Sequence, residues 1–136
     1  MFGRLLIIDE DLPKRLAWLL AKRGRNVTSN SRLGWTGHKD HAFLPDLARD
    51  YPHAALVTGD IHMPAAHSEI LATLPNVTLA IVHKFARPPE FKVDEWEWEV
   101  VDRWAHRMEA QLEGTYAVYG LKVGRWTEGL VRRRHG

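Results

Sequence analysis

Short apolar runs of strand length, separated by segments with helical spacing, most restrict what this chain can fold into. Leu5 to Ile8, Ala54 to Thr58 and Val77 to Val82 are such runs, and Asn26 to Ser29 reads as a further short strand. Continuous rather than alternating apolar runs suit parallel strands covered on both faces. Between them, Leu12, Leu16, Leu19 and Leu20 recur at helical spacing. Asp11 is placed to cap that helix, Pro13 fits its first turn and Gly24 its stop. Ser31 to Lys39, with Gly34 and Gly37, reads as a loop.

A second helix is expected from near His41, because Pro45 belongs in a first turn; it would bury Phe43, Leu44, Leu47 and Ala48. A third is expected over about Ala66 to Leu74, burying Ile70, Leu71 and Leu74. The prolines in Ala86-Arg87-Pro88-Pro89-Glu90 mark a connection. The longest helix follows, with Trp96, Val100, Trp104, Met108 and Leu112 four residues apart. Its first turns are acidic and Arg103 and Arg107 come later, as the helix dipole prefers. Tyr116, Val118 and Val123 suggest a last strand or hairpin.

Strands alternating with helices predict an α/β three-layer sandwich around a central, mostly parallel sheet. With 136 residues, 45% of them hydrophobic, and no internal repeat or low-complexity linker, a single domain over 1–136 is expected. It would end in a long helix and a basic tail, Arg132-Arg133-Arg134. The absence of cysteine excludes disulfides, iron–sulfur clusters and cysteine-ligated zinc. With no apolar stretch of about 18 residues and too short an apolar run at Leu5 to Ile8 for a secretory signal, a cytoplasmic protein without membrane attachment is expected. The formal charge of +2 and pI near 9.1 permit RNA binding without requiring it. Asp94, Glu95, Glu97 and Glu99 form an acidic cluster, most simply a solvated helix face.

In parallel α/β folds ligands bind beyond the carboxyl ends of the strands. Asp9, Glu10 and Asp11 follow the first strand, Asp60 follows the third, and Asp40 closes the loop before the second helix. Clustered carboxylates repel unless a cation lies among them, and Mg²⁺ or Mn²⁺ takes such oxygen ligands with waters and substrate phosphates. A bound cation would also activate water toward phosphorus. Asp11 is as well explained as an N-cap, Asp40 has a capping alternative, and Glu10 has a solvent-facing one. Asp9 and Asp60, each closing an apolar strand, are harder to explain structurally. Lys84 and Arg87 after the fourth strand, with Lys14, Arg15 and Lys39, could hold phosphates. His62 could act as a proton donor or support a ligand, although the histidines match no zinc motif. Trp35 could stack on an unpaired base, with packing inside its loop the simpler role.

Ile8-Asp9-Glu10-Asp11-Leu12-Pro13, Leu33-Gly34-Trp35-Thr36-Gly37-His38-Lys39-Asp40 and Leu56-Val57-Thr58-Gly59-Asp60, in that order and spacing, resemble the PIN-like domains related to VapC-type toxins. The resemblance covers residues 5 to about 85. It implies a Mg²⁺- or Mn²⁺-dependent endoribonuclease, the toxin of a toxin–antitoxin pair, held inactive by a cognate antitoxin protein and acting on tRNA or rRNA. Asp9, Asp40 and Asp60 would be its catalytic, metal-binding acids, with Glu10 as the available fourth. Relatives often carry an acid where this chain has His62. The segment from Val93 onward carries no such motif; its helix would serve packing, a homodimer or antitoxin docking.

Two other readings compete. Asp9-Glu10-Asp11 and Asp60-Ile61-His62-Met63-Pro64 also look like receiver-domain motifs, in which Asp60 would accept a phosphoryl group. Against it, His83-Lys84 stands where a receiver has Ser or Thr, and the expected lysine after a fifth strand is not found beyond Pro88-Pro89. The remaining reading is a catalytically inactive PIN-like binding module.

Overall fold

Successive side chains of a strand point to opposite faces, so an apolar strand needs cover on both sides. The computed structural model supplies that cover and describes residues 3–35, 40–83, 87, 89–122 and 125–131, with backbone alone for 40, 41, 121, 122 and 125–131. The elements run β1 (Leu6–Ile8), α1 (Arg15–Lys22), β2 (Val27–Ser29), α2 (Asp40–Asp50), β3 (Ala55–Thr58), α3 (Met63–Ala66), α4 (Ser68–Ala72), β4 (Thr78–Val82), α5 (Val93–Ala110), β5 (Tyr116–Lys122) and β6 (Arg125–Val131). They form one sheet in the order β2-β1-β3-β4-β5-β6. The first five strands are parallel, and β6 returns antiparallel along β5.

The pleat divides the core in two. Leu6, Ile8, Val57, Ala80, Val82 and Tyr119 pack with Leu16 and Leu20 of α1 and with Trp96, Val100 and Met108 of α5. Ile7, Leu56, Leu79 and Ile81 pack with Phe43, Leu44 and Leu47 of α2, with Met63 of α3 and with Leu71 of α4. Helices on both faces of a mostly parallel sheet make the three-layer α/β sandwich that the alternation predicts. Across one row, Ile8, Val57, Ala80 and Ala117 are register partners, so side chains shrink toward β5. The largest side chain of this cluster, Trp96, is fully buried, and its indole N–H donates to the His83 carbonyl at 3.2 Å.

Several boundaries differ from the sequence expectation, each for a local reason. The N-cap of α1 is Lys14, with no side-chain cap, because the Asp11 carboxylate is committed elsewhere. Pro45 lies inside α2, five residues after its start, rather than in its first turn. The single helix expected over about Ala66 to Leu74 is two: α3 starts at Met63 with Pro64 in its first turn, and His67, at φ −120° and ψ 30°, separates it from α4. Only Leu71 of the three expected apolar residues is fully buried there.

Helix α5 stops at Ala110, which leaves Leu112 outside it and 75% exposed. Gln111 takes over at that point. Its amide donates to the carbonyls of Leu79 and Thr115 and accepts from Tyr119 Oη, tying the turn to the sheet. Asp94 and Glu95 open α5 and Arg107 lies in its last turn, the arrangement the dipole favours. Glu97 departs from the expected solvated face and is buried. In the last turn of α2, Arg49 hydrogen-bonds Asp50 and holds that carboxyl below its ordinary range. No helix among the described residues is long and apolar enough to cross a membrane. The tail at Arg132-Arg133-Arg134 lies outside the described residues.

Candidate functional site

The register that builds the sheet also builds the site. Ile8 pairs with Ser29 of β2 and with Val57 of β3, so one step further the row reads Asn30, Asp9, Thr58. Backbone bonds hold that row: Asp9 N–H donates to the Val57 carbonyl at 2.9 Å, and Asn30 N–H to the Ile8 carbonyl at 3.0 Å. All three side chains are buried, Asp9 5% exposed and Asn30 1%. A carboxylate withdrawn from water is tolerated only when it is well hydrogen-bonded. Here Asp9 Oδ1 accepts from Asn30 Nδ2 at 2.7 Å and from the Glu10 amide at 2.8 Å, while Oδ2 accepts from Thr58 Oγ1 at 2.8 Å.

Thr58 Oγ1 also accepts from the Asp60 amide at 3.2 Å, so one hydroxyl ties the buried acid to the loop carrying the second. Asp60 is half-buried, and its Oδ1 accepts from the His62 amide at 3.0 Å. Asp11, proposed from sequence as a helix cap, instead receives the Gly59 amide on both oxygens, at 3.2 and 3.1 Å. It fastens the loop after β1 to the loop after β3. Glu10 is exposed beside Asp9.

The remaining predicted residues fall in different places. Asp40 opens α2, and a helix connecting parallel strands starts at the carboxyl edge, the edge that carries Asp9. Its side chain lies outside the described residues, as do Lys39 and Lys84. Lys14 is exposed and lines the same cleft as Asp9. Arg87 is exposed, and its guanidinium donates to the Phe91 carbonyl, in the connection ahead of α5. His62 is exposed as the N-cap of α3. Trp35 is 7% exposed, stacked on Phe43 with ring centres 5.2 Å apart and edge-on to Tyr51 at 5.9 Å. Core packing, not base stacking, is its role.

Asn30 and Thr58 were not singled out from sequence. Each is simply a polar residue at the end of a short strand, and only the register makes them neighbours of Asp9. The side-chain oxygen of Asn30, Oδ1, is buried and meets no hydrogen-bond donor among the described residues. An unpaired buried acceptor costs on the order of 1–3 kcal/mol. Its orientation is fixed, because turning the amide over would set its oxygen against the Asp9 carboxylate.

A cleft of about 130 Å³ opens at this end of β1 and β2, with Asp9, Glu10, Lys14, Asn30 and Ser31 among its lining. Among the described residues, no group of three or more His, Asp or Glu side chains is arranged to hold a metal ion. Asp9 and Asp60 are each nonetheless the kind of oxygen ligand that Mg²⁺ or Mn²⁺ takes, often one or two carboxylates completed by substrate phosphate and water. Comparison with protein-family models, with curated proteins and with solved structures finds no match.

Proposed function

We propose that the chain is a Mg²⁺- or Mn²⁺-dependent endoribonuclease of the PIN-like kind, the toxin of a toxin–antitoxin pair. The observation that carries the reading is the clamp on Asp9: a buried carboxylate at the carboxyl edge of a parallel sheet, held by Asn30 and Thr58, with the main-chain amide of Asp60 donating to the same hydroxyl. Three donors hold the Asp9 carboxylate in place, and carboxylate oxygen is the ligand a hard cation takes. The order and spacing of the three motifs supply the toxin half of the reading and the antitoxin partner.

Asp9 and Asp60 would hold the cation, with Asp40 at the head of α2 and Glu10 beside Asp9 as further acids. Bound there, the cation would supply an activated water and charge stabilisation at phosphorus. Lys14, exposed at the cleft, would hold a phosphate of the RNA, and Lys39, Lys84 and Arg87 would extend that contact along the strand. The exposed imidazole of His62, two residues after Asp60, would give a proton to the leaving oxygen. Cleavage of purified tRNA and rRNA by the antitoxin-free protein in Mn²⁺ tests this reading. Discrete fragments lost in EDTA and in Asp60→Asn are expected; intact RNA with well-folded protein would sink it.

A second reading draws on one specific observation. The order β2-β1-β3-β4-β5 is that of the flavodoxin-like doubly wound sheets, the class that includes receiver domains. The fifth parallel strand ends on Lys122, so the lysine sought from sequence after Pro88-Pro89 stands instead at the end of β5. His83 still occupies the position after β4. Incubation with acetyl phosphate and Mg²⁺ discriminates: an acid-stable, hydroxylamine-labile phosphoryl group on Asp60 would select the receiver.

A further inference from the structure

The cleft beside Asp9 has a composition that the cation alone does not call for. Its inner wall is apolar, made by Ile8, Leu12 and Pro13, and polar groups are confined to particular points. At about 130 Å³ it approaches the size of a cavity that takes a single aromatic ring. A hydrated divalent cation gains nothing from such a wall, whereas the flat face of a heterocycle does.

Asn30 stands in this cleft with its amide nitrogen spent on Asp9 and its carbonyl oxygen buried without a donor. Buried polar atoms are nearly always paired, so this oxygen calls for an N–H or O–H from whatever enters. Ser29 and Ser31 face one another at 3.0 Å through their hydroxyls, and Lys14 is exposed on the α1 side. An acceptor inside, apolar walls and a cation at the surface are together the complement of a nucleotide.

We infer that this cleft is a nucleobase slot: it takes the base next to the cleaved phosphate, with the Asn30 carbonyl accepting from an exocyclic amine and Lys14 meeting the phosphate. The inference rests on the ribonuclease reading for its substrate, and it adds a preference for amine-bearing bases over uracil at that position. Asn30 then joins two tasks in one amide. Its nitrogen orients the carboxylate, and its oxygen reads the base.

Amide NMR of the full chain in EDTA, titrated with cytidine 5′-monophosphate and, separately, ribose 5-phosphate, tests the slot without the cation. Saturable shifts at Glu10, Asn30 and Ser31 are expected with the nucleotide, and binding of the sugar phosphate about tenfold weaker or more. Asn30→Leu is the obvious variant but also strips Asp9 of a donor, so Ser31→Trp is the safer one. Ser31 is exposed, and an indole there closes the slot; binding should fall about tenfold with the circular dichroism spectrum unchanged. Equal binding of ribose 5-phosphate, unchanged binding in Ser31→Trp, or no shifts at millimolar nucleotide would each overturn the slot. Cleavage of RNA in Mn²⁺ reads the other claim separately. Cleavage without nucleotide binding removes the slot and keeps the nuclease, and saturable base binding without cleavage does the reverse.

Discussion

Thr58 shows how much one small side chain can decide in this molecule. Its hydroxyl donates to Asp9 Oδ2 and accepts from the Asp60 amide, inside a strand whose other residues are apolar. Thr58→Val keeps the shape and removes both bonds, leaving a buried carboxylate oxygen short of a donor. A loss of about 1–3 kcal/mol in urea unfolding is expected. Thr58→Ser, which keeps the hydroxyl, should recover most of it; equal destabilisation in both variants would point to packing of the methyl group instead. Asp11 gives the converse lesson. Its place before a leucine-spaced helix suggested a cap, but Gly59, buried and without a side chain, offers its amide across the sheet edge.

From Asn30 to Trp35 the chain runs through turns that depend on two particular residues. Leu33 and Trp35 both donate to the main-chain carbonyl of Asn30, and Gly34 sits at φ 78°. That winding brings Trp35 onto Phe43 and Tyr51 and so seats α2 on the sheet. Trp35→Ala should cost about 3–5 kcal/mol in chemical denaturation, the usual toll of deleting a large buried aromatic. A loss below 1 kcal/mol would show that the loop does not need this anchor. At the end of α1, Gly24 adopts φ 81° with nothing within 4 Å of the Cβ it lacks. Gly24→Ala therefore meets conformational strain without a clash, and a loss of about 1–2 kcal/mol is expected. A thermal midpoint at or above that of the wild type would exclude that conformation as a constraint.

The molecule as a whole sets Asn30, Asp9, Thr58 and Asp60 at one edge because the parallel strands β2, β1 and β3 end there together. Adjacent strands β1 and β3 place Asp9 and Asp60 on neighbouring loops, and the two faces of helices leave that edge as the open side. If those acids hold Mn²⁺, ligand binding to the folded state alone will raise stability by about 2.7 kcal/mol at a hundredfold excess over Kd. A rise in melting temperature with Mn²⁺ in the wild type, absent in Asp9→Asn, is the expected result by scanning fluorimetry. No rise in the wild type would remove the cation from the site, whatever the RNA assay shows.

The alternation of apolar runs and helical spacing was enough to establish the α/β class, because burial on two faces requires continuous apolar strands and 3.6-residue periodicity requires amphipathic helices. It also marked Asp9 and Asp60 as strand-end acids, since each interrupts an apolar run at its carboxyl end. Register is different in kind. It depends on which strand lies beside which, and no local pattern says that Ser29 and Val57 both flank Ile8. Only the folded sheet could therefore bring Asn30 and Thr58 to Asp9, divert Asp11 from a helix to Gly59, bury Trp35 and set Lys122 at the end of the fifth strand. Periodicity is a property of neighbours along the chain, whereas the site is made by neighbours across it.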